Sequence, residues 1–92
     1  MVITSLEAHV PADQWSALEQ AVQTGQGRRP AQMRDSYLIQ STSDPTLWRL
    51  IGIWQSRAAF EEYRQSVAVP GGLQFFRSVG VEPTLTLFDV KG

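Results

Sequence analysis

The chain has 92 residues, a formal net charge of -1 and 42% apolar residues. That describes one domain, residues 1–92, with enough apolar material for a core, and no basic run beyond Arg28-Arg29 that would mark a partner such as nucleic acid or an anionic membrane surface. Cysteine is absent, which excludes disulfides, thiolate metal sites and a cysteine nucleophile, and fits a reducing cytoplasm.

The first ten residues, MVITSLEAHV, lack the basic start and apolar stretch of a signal peptide. They alternate instead: Val2, Thr4, Leu6, Ala8 and Val10 on one side, Ile3, Ser5, Glu7 and His9 on the other, the pattern of a strand. Pro11 suits the first turn of a helix, with Asp13 near its positive end. Trp15, Leu18 and Val22 follow at helical spacing until Gly25 and Gly27 stop it, and GQGRRPAQ reads as a loop. Residues 33–41 form a second strand with Met33, Tyr37 and Ile39 on a common side. The Asp-Pro turn in STSDPT joins it to a third strand at 47–55 as an antiparallel hairpin.

Ser56 then N-caps a helix that runs through Ser66, with Phe60 and Tyr63 on one face. Val69-Pro70-Gly71-Gly72 breaks the chain, a short helix spans 73–79, and a fourth strand closes at 83–90. No apolar run approaches the ~20 residues of a membrane span.

The order β-α-β-β-α-α-β is that of a split βαβ motif: an α+β, ferredoxin-like, four-stranded antiparallel sheet with helices on one face. Such a sheet normally shows water its second face, so its strands alternate apolar and polar. The third strand does not. Trp48, Leu50, Gly52 and Trp54 lie on one side, and Leu47, Ile51 and Ile53 with Arg49 on the other. Both sides ask for cover and the helices supply one. A second subunit packed sheet to sheet is the expected partner, giving a homodimeric α+β barrel, with Trp48 a candidate for its seam.

The stretch IWQSRAAFEEYRQS, and less specifically FFRSVGVEPTLTLFDV, resembles the antibiotic biosynthesis monooxygenase family, small proteins of the dimeric α+β barrel type. Trp54 falls on the family tryptophan, with Ser56 and Phe60 on the polar step and first buried helix position. The resemblance implies oxidation of a small aromatic or quinol substrate by molecular oxygen without metal or flavin, in a pocket between sheet and helices. Other members open haem, isomerise sugars or have no known reaction. Family members that do chemistry use an Asn on the first strand, an aromatic or His on the second helix and a His on the third. This chain has no Asn. Ser5 or Leu6 falls near that position, Tyr63 takes the second-helix place, and GLQFFRS has no His. Haem is therefore not expected as a ligand, and no cofactor is.

Within that resemblance the catalytic candidates are His9, as a base at the pocket mouth oriented by Glu7, and Tyr63, as a donor to a substrate oxygen. Trp54, Tyr37, Phe60, Phe76 and Arg49 are the substrate-binding candidates, Arg49 as an anion clamp. Each has a plainer reading: His9 exposed at a strand end, Tyr63 and the other aromatics as core, Arg49 paired with a carboxylate, Arg28 and Arg29 solvated. No metal site is expected from one histidine and scattered carboxylates. The alternative function is a non-catalytic dimeric module that binds a small ligand or another protein.

Overall fold

The computed structural model describes residues 1–92. Strands β1 (Val2–His9), β2 (Met33–Gln40), β3 (Leu47–Trp54) and β4 (Thr84–Asp89) form one antiparallel sheet in the order β2-β3-β1-β4. Helices α1 (Trp15–Gly25), α2 (Arg57–Ser66) and α3 (Gly71–Ser78) complete the α+β, ferredoxin-like fold. No helix is long and apolar enough to cross a membrane.

Two helix starts differ from expectation. Pro11 leads into a single 3-10 turn over Ala12–Gln14, and α1 begins only at Trp15. The indole N–H of Trp15 donates to the Val10 carbonyl at 2.8 Å and ties the helix to the end of β1. Helix α3 begins at the two glycines that read as a breaker. Pro70 sets the entry, the Gly71 N–H finds an acceptor in the Tyr63 hydroxyl at 3.0 Å, and Gly72 lets the helix approach the sheet. A Cβ on Gly72 would lie 2.6 Å from Leu6 Cδ1. Helix α2 starts as expected, with the Ser56 hydroxyl accepting from the Ala59 N–H at 3.0 Å.

The register Leu6↔Leu50 and Ala8↔Trp48 places the apolar alternants of β1 and β3 under the helices. There Leu6, Ala8, Val10, Trp48 and Leu50 pack with Leu18 and Val22 of α1 and Phe76 and Val79 at α3. A smaller cluster of Val2, Trp54 and Phe60 forms at the other end of the sheet. Between the clusters the central strands offer only Thr4 and Gly52, paired with each other in the register. Neither fills space, so the core is split. Trp48 is not at a subunit seam: it is 3% exposed, on the helix side, tilted against Trp15 at 6.0 Å between ring centroids.

A bulge between Met33 and Asp35 shifts the phase of β2. Met33 therefore packs with the small cluster on the helix side, while Tyr37 and Ile39 pair with Ile51 and Arg49 on the bare side. The common face expected for Met33, Tyr37 and Ile39 is corrected by that one extra residue, since side chains alternate with a period of two.

Candidate functional site

The gap between the two core clusters is a cavity of about 320 Å3. Its floor is Thr4, Leu6, Leu50 and Gly52 of the central strands, with Met33 and Ser36 from β2 and Leu85 from β4. Trp54, Phe60 and Tyr63 form one wall, Pro70 and Leu73 another, and Arg64 and Ala68 sit at the rim.

The aromatic wall is held from both sides. Trp54 meets Phe60 edge to face at 5.1 Å and Tyr63 at 5.3 Å and 35°. Its indole N–H donates to the buried Thr4 hydroxyl at 3.0 Å. Gly52 makes this possible: a Cβ there would stand 2.7 Å from Thr4 Oγ1 and 2.9 Å from Trp54 Nε1. The Tyr63 hydroxyl accepts from the Gly71 N–H, which fixes the ring against the start of α3 and leaves its own proton with no acceptor in the chain. The Ser36 hydroxyl also has no partner within the chain.

The cavity is thus an apolar box with a few hydroxyl groups and one guanidinium. None of its lining residues is a histidine or a carboxylate. Nowhere in the chain do three His, Asp or Glu side chains converge as metal ligands would.

Of the residues singled out in the sequence, Trp54, Phe60 and Tyr63 meet at this cavity. The others stand elsewhere. His9 is exposed on the opposite side of the sheet, its Nδ1 3.0 Å from Thr46 Oγ1 and 3.6 Å from Asp44 Oδ2, so it is not at the pocket mouth. Glu7 does not orient it, because both the Nε and Nη2 of Arg49 lie 2.6 Å from Glu7 Oε1. Arg49 is therefore an ion-paired residue of the bare face, not a pocket clamp. Tyr37 lies on the same bare face and donates to Asp35 at 2.7 Å, an interaction that holds the Asp35 carboxyl below its ordinary range and pushes the Tyr37 phenol up. Phe76 is 0% exposed in the main cluster and does not line the cavity.

Residues the sequence reading passed over are Thr4, Met33, Ser36, Gly52 and Arg64. Two carried a signal: Thr4 is the polar member of an apolar alternation, and Gly52 is a glycine inside a strand, where close approach is the usual reason. Met33 was hidden by the bulge.

The sequence profile of the antibiotic biosynthesis monooxygenases matches residues 1–73. The chain belongs to that family. No curated protein matches it significantly in sequence. Among solved structures it is similar to a Deinococcus radiodurans protein described under the same family name, with 18% identity, a TM-score of 0.74, and coverage of 100% of this chain and 94% of that one. Rv0793 from Mycobacterium tuberculosis is 22% identical with a TM-score of 0.72, covering 99% and 95%. A point mutant of MhuD, which holds two manganese protoporphyrin IX molecules per active site, is 15% identical with a TM-score of 0.76, covering 98% and 94%. At these identities the likeness shows the fold, and the family member's chemistry must be argued from its own cavity.

Proposed function

We propose that this family member binds a small, flat aromatic molecule, an anthrone or quinol, in the cavity between the sheet and α2–α3 and oxidises it with molecular oxygen. The observation that carries the reading is the open apolar cavity with Trp54, Phe60 and Tyr63 along one side. An aromatic substrate stacks on that wall, and the free Tyr63 proton is available to a substrate oxygen. With no histidine or carboxylate in the lining, the substrate must be acidic enough to lose its own proton. A cationic rim at Arg64 favours the resulting enolate or phenolate. The anion passes an electron to oxygen, and the apolar walls shield the pair from water. For an anthrone the balance closes: a ring CH2 becomes C=O with one oxygen atom, and the second leaves with the two hydrogens as water.

We propose further that the working form is a cytoplasmic homodimer joined through the bare sheet face. Tyr37 (51% exposed), Ile39 (45%) and Phe88 (53%) lie there beside Ile3, Ile51 and Ile53. Burying a few hundred Å2 of such surface at ~25 cal/mol per Å2 contributes several kcal/mol to association.

The test is oxygen uptake by the purified protein with a panel of anthrones and naphthoquinols. Uptake above the buffer blank that falls in Tyr63→Phe supports the enzyme. The missing base in the cavity favours a second reading, a binding module of the same fold; it gains if the panel binds calorimetrically with no oxygen consumed. Haem is not the ligand proposed, since α3 carries no histidine. A shifted and saturable Soret band on adding haemin would reverse that.

A further inference from the structure

The cleft continues past Tyr63. A narrower chamber of about 80 Å3 lies behind Met33, Ser36, Leu50 and Tyr63, the four residues that line both spaces. Its far end is made by the turn after α1, with Gly25, Arg28 and Arg29, and by Phe75 of α3. Across both chambers the charged lining residues are Arg28, Arg29 and Arg64, and no carboxylate lines either. The chain as a whole carries a net charge of -1, so this one-sided lining is local to the cleft.

The three arginines are not equivalent. Arg29 is committed to Asp35 at 3.1 Å. Arg28 and Arg64 take part in none of the ion pairs. Both are exposed, Arg64 where it lines the wide chamber and Arg28 where it lines the narrow one. The route between the chambers carries the two hydroxyls with spare hydrogen-bonding capacity, Ser36 and Tyr63. An apolar body in the wide chamber with a polar arm leading to a cation is the shape these features fit.

We infer that the ligand is an aromatic acid, its ring system in the wide chamber and its carboxylate reaching through the Ser36–Tyr63 gap to Arg28. This rests on the wide chamber being the ligand site. Gly25 lets the Phe75 ring lie against the end of α1, where both line the narrow chamber. Its backbone is ordinary for alanine (φ -79°), but a Cβ would stand 2.3 Å from Phe75 Cζ, so the ring would have to swing away from its present place.

Titration calorimetry with anthraquinone-2-carboxylate and its neutral carboxamide tests the assignment. The acid binds about five- to tenfold tighter than the amide, as expected for a charged hydrogen bond at a partly exposed site, and the advantage shrinks with added salt. Arg28→Gln abolishes the advantage while amide affinity stays, Arg28→Lys restores part of it, and Arg64→Gln leaves it. Gly25→Ala reduces the acid's advantage through Phe75. Equal binding of acid and amide overturns the inference and leaves the aromatic cavity standing. So does an advantage that survives Arg28→Gln and disappears in Arg64→Gln. Failure of both compounds to bind overturns the wide-chamber reading and this inference with it.

Discussion

Strand β3 sends Trp48, Leu50, Gly52 and Trp54 to one side of the sheet and Leu47, Arg49, Ile51 and Ile53 to the other. On the first side the three large residues are 2–7% exposed beneath three helices. On the second the same strand, with Tyr37, Ile39 and Phe88 from the edges, has no helix packed over it. The contrast separates two uses of apolar surface. Where cover comes from the same chain, small residues at Thr4 and Gly52 leave a cavity inside the packing. Where cover must come from outside, the face carries ion pairs among its isoleucines, Glu7–Arg49 at the centre and Arg29–Asp35 beside Ile53. Substitutions on the two faces should therefore fail in different ways.

The largest effect is expected in the covered core. Phe76→Ala removes a ring that is 0% exposed and should cost about 3–5 kcal/mol, read from a urea midpoint. For a domain this small that is a large part of its total stability. Tyr63→Phe should be milder, about 0.5–1.5 kcal/mol, because it strands the Gly71 N–H but keeps the ring on Trp54. If Tyr63 also orients a substrate, turnover falls while the circular dichroism spectrum is unchanged. Equal activity in the two proteins would reduce Tyr63 to a strut for α3.

The bare face should respond in assembly before it responds in fold. Ile53→Lys, at a half-buried position, is expected to cost the monomer only about 1 kcal/mol. It should also shift sedimentation from dimer to monomer. Leu50→Lys, on the opposite face of the same strand and 7% exposed, should instead unfold the chain. If Ile53→Lys changes neither assembly nor stability, the apolar face has no partner of its own kind.

Much of this division was legible in the sequence because it depends on alternation. The apolar character of β3 on both sides, the Ser56 cap, the Asp-Pro hairpin and the Phe60–Tyr63 face all rest on local periodicity, and each is found where the pattern puts it. What was hidden depends on single-residue departures from a period. The bulge at Arg34 reversed the side of Met33 relative to Tyr37, so the sequence put a cavity residue and a bare-face residue on one common side. His9 and Arg49 were placed on the right side of their strands, but the alternation alone does not tell that the helices, and with them the cavity, lie on the other side. Arg28 and Arg29 read as solvated and are exposed; what nothing local shows is that they also border the gap beside Phe75 at the end of α1.

Acid should touch the bare face as well. Asp35 accepts from Tyr37, from the Ser36 N–H and from Arg29, which together hold its carboxyl below 3.8. A depressed carboxyl contributes stability that is present above the unfolded value of 3.8 and is lost as pH falls through the folded value. Denaturation midpoints compared at pH 7 and in the range below 3.8 should therefore fall less steeply in Asp35→Asn than in wild type. Parallel curves would mean that the exposed network around Asp35 is too well solvated to count.

The smallest effect in a lone chain is expected from Glu7→Gln, and it is the one that most sharpens the contrast between the faces. The side chains of Arg49 and Glu7 are 49% and 41% exposed, and such a pair is worth about 0–1 kcal/mol. At low protein concentration the variant should unfold within that margin of wild type. A second sheet laid over the face would bury both charges, and removing one partner of a buried pair costs about 3–5 kcal/mol because the other is left uncompensated. The destabilisation by Glu7→Gln should therefore grow with protein concentration, and replacing both charges together, Glu7→Leu with Arg49→Met, should remove most of that growth. A cost that stays constant across concentrations would place Arg49 at the rim of any interface, where water still reaches it.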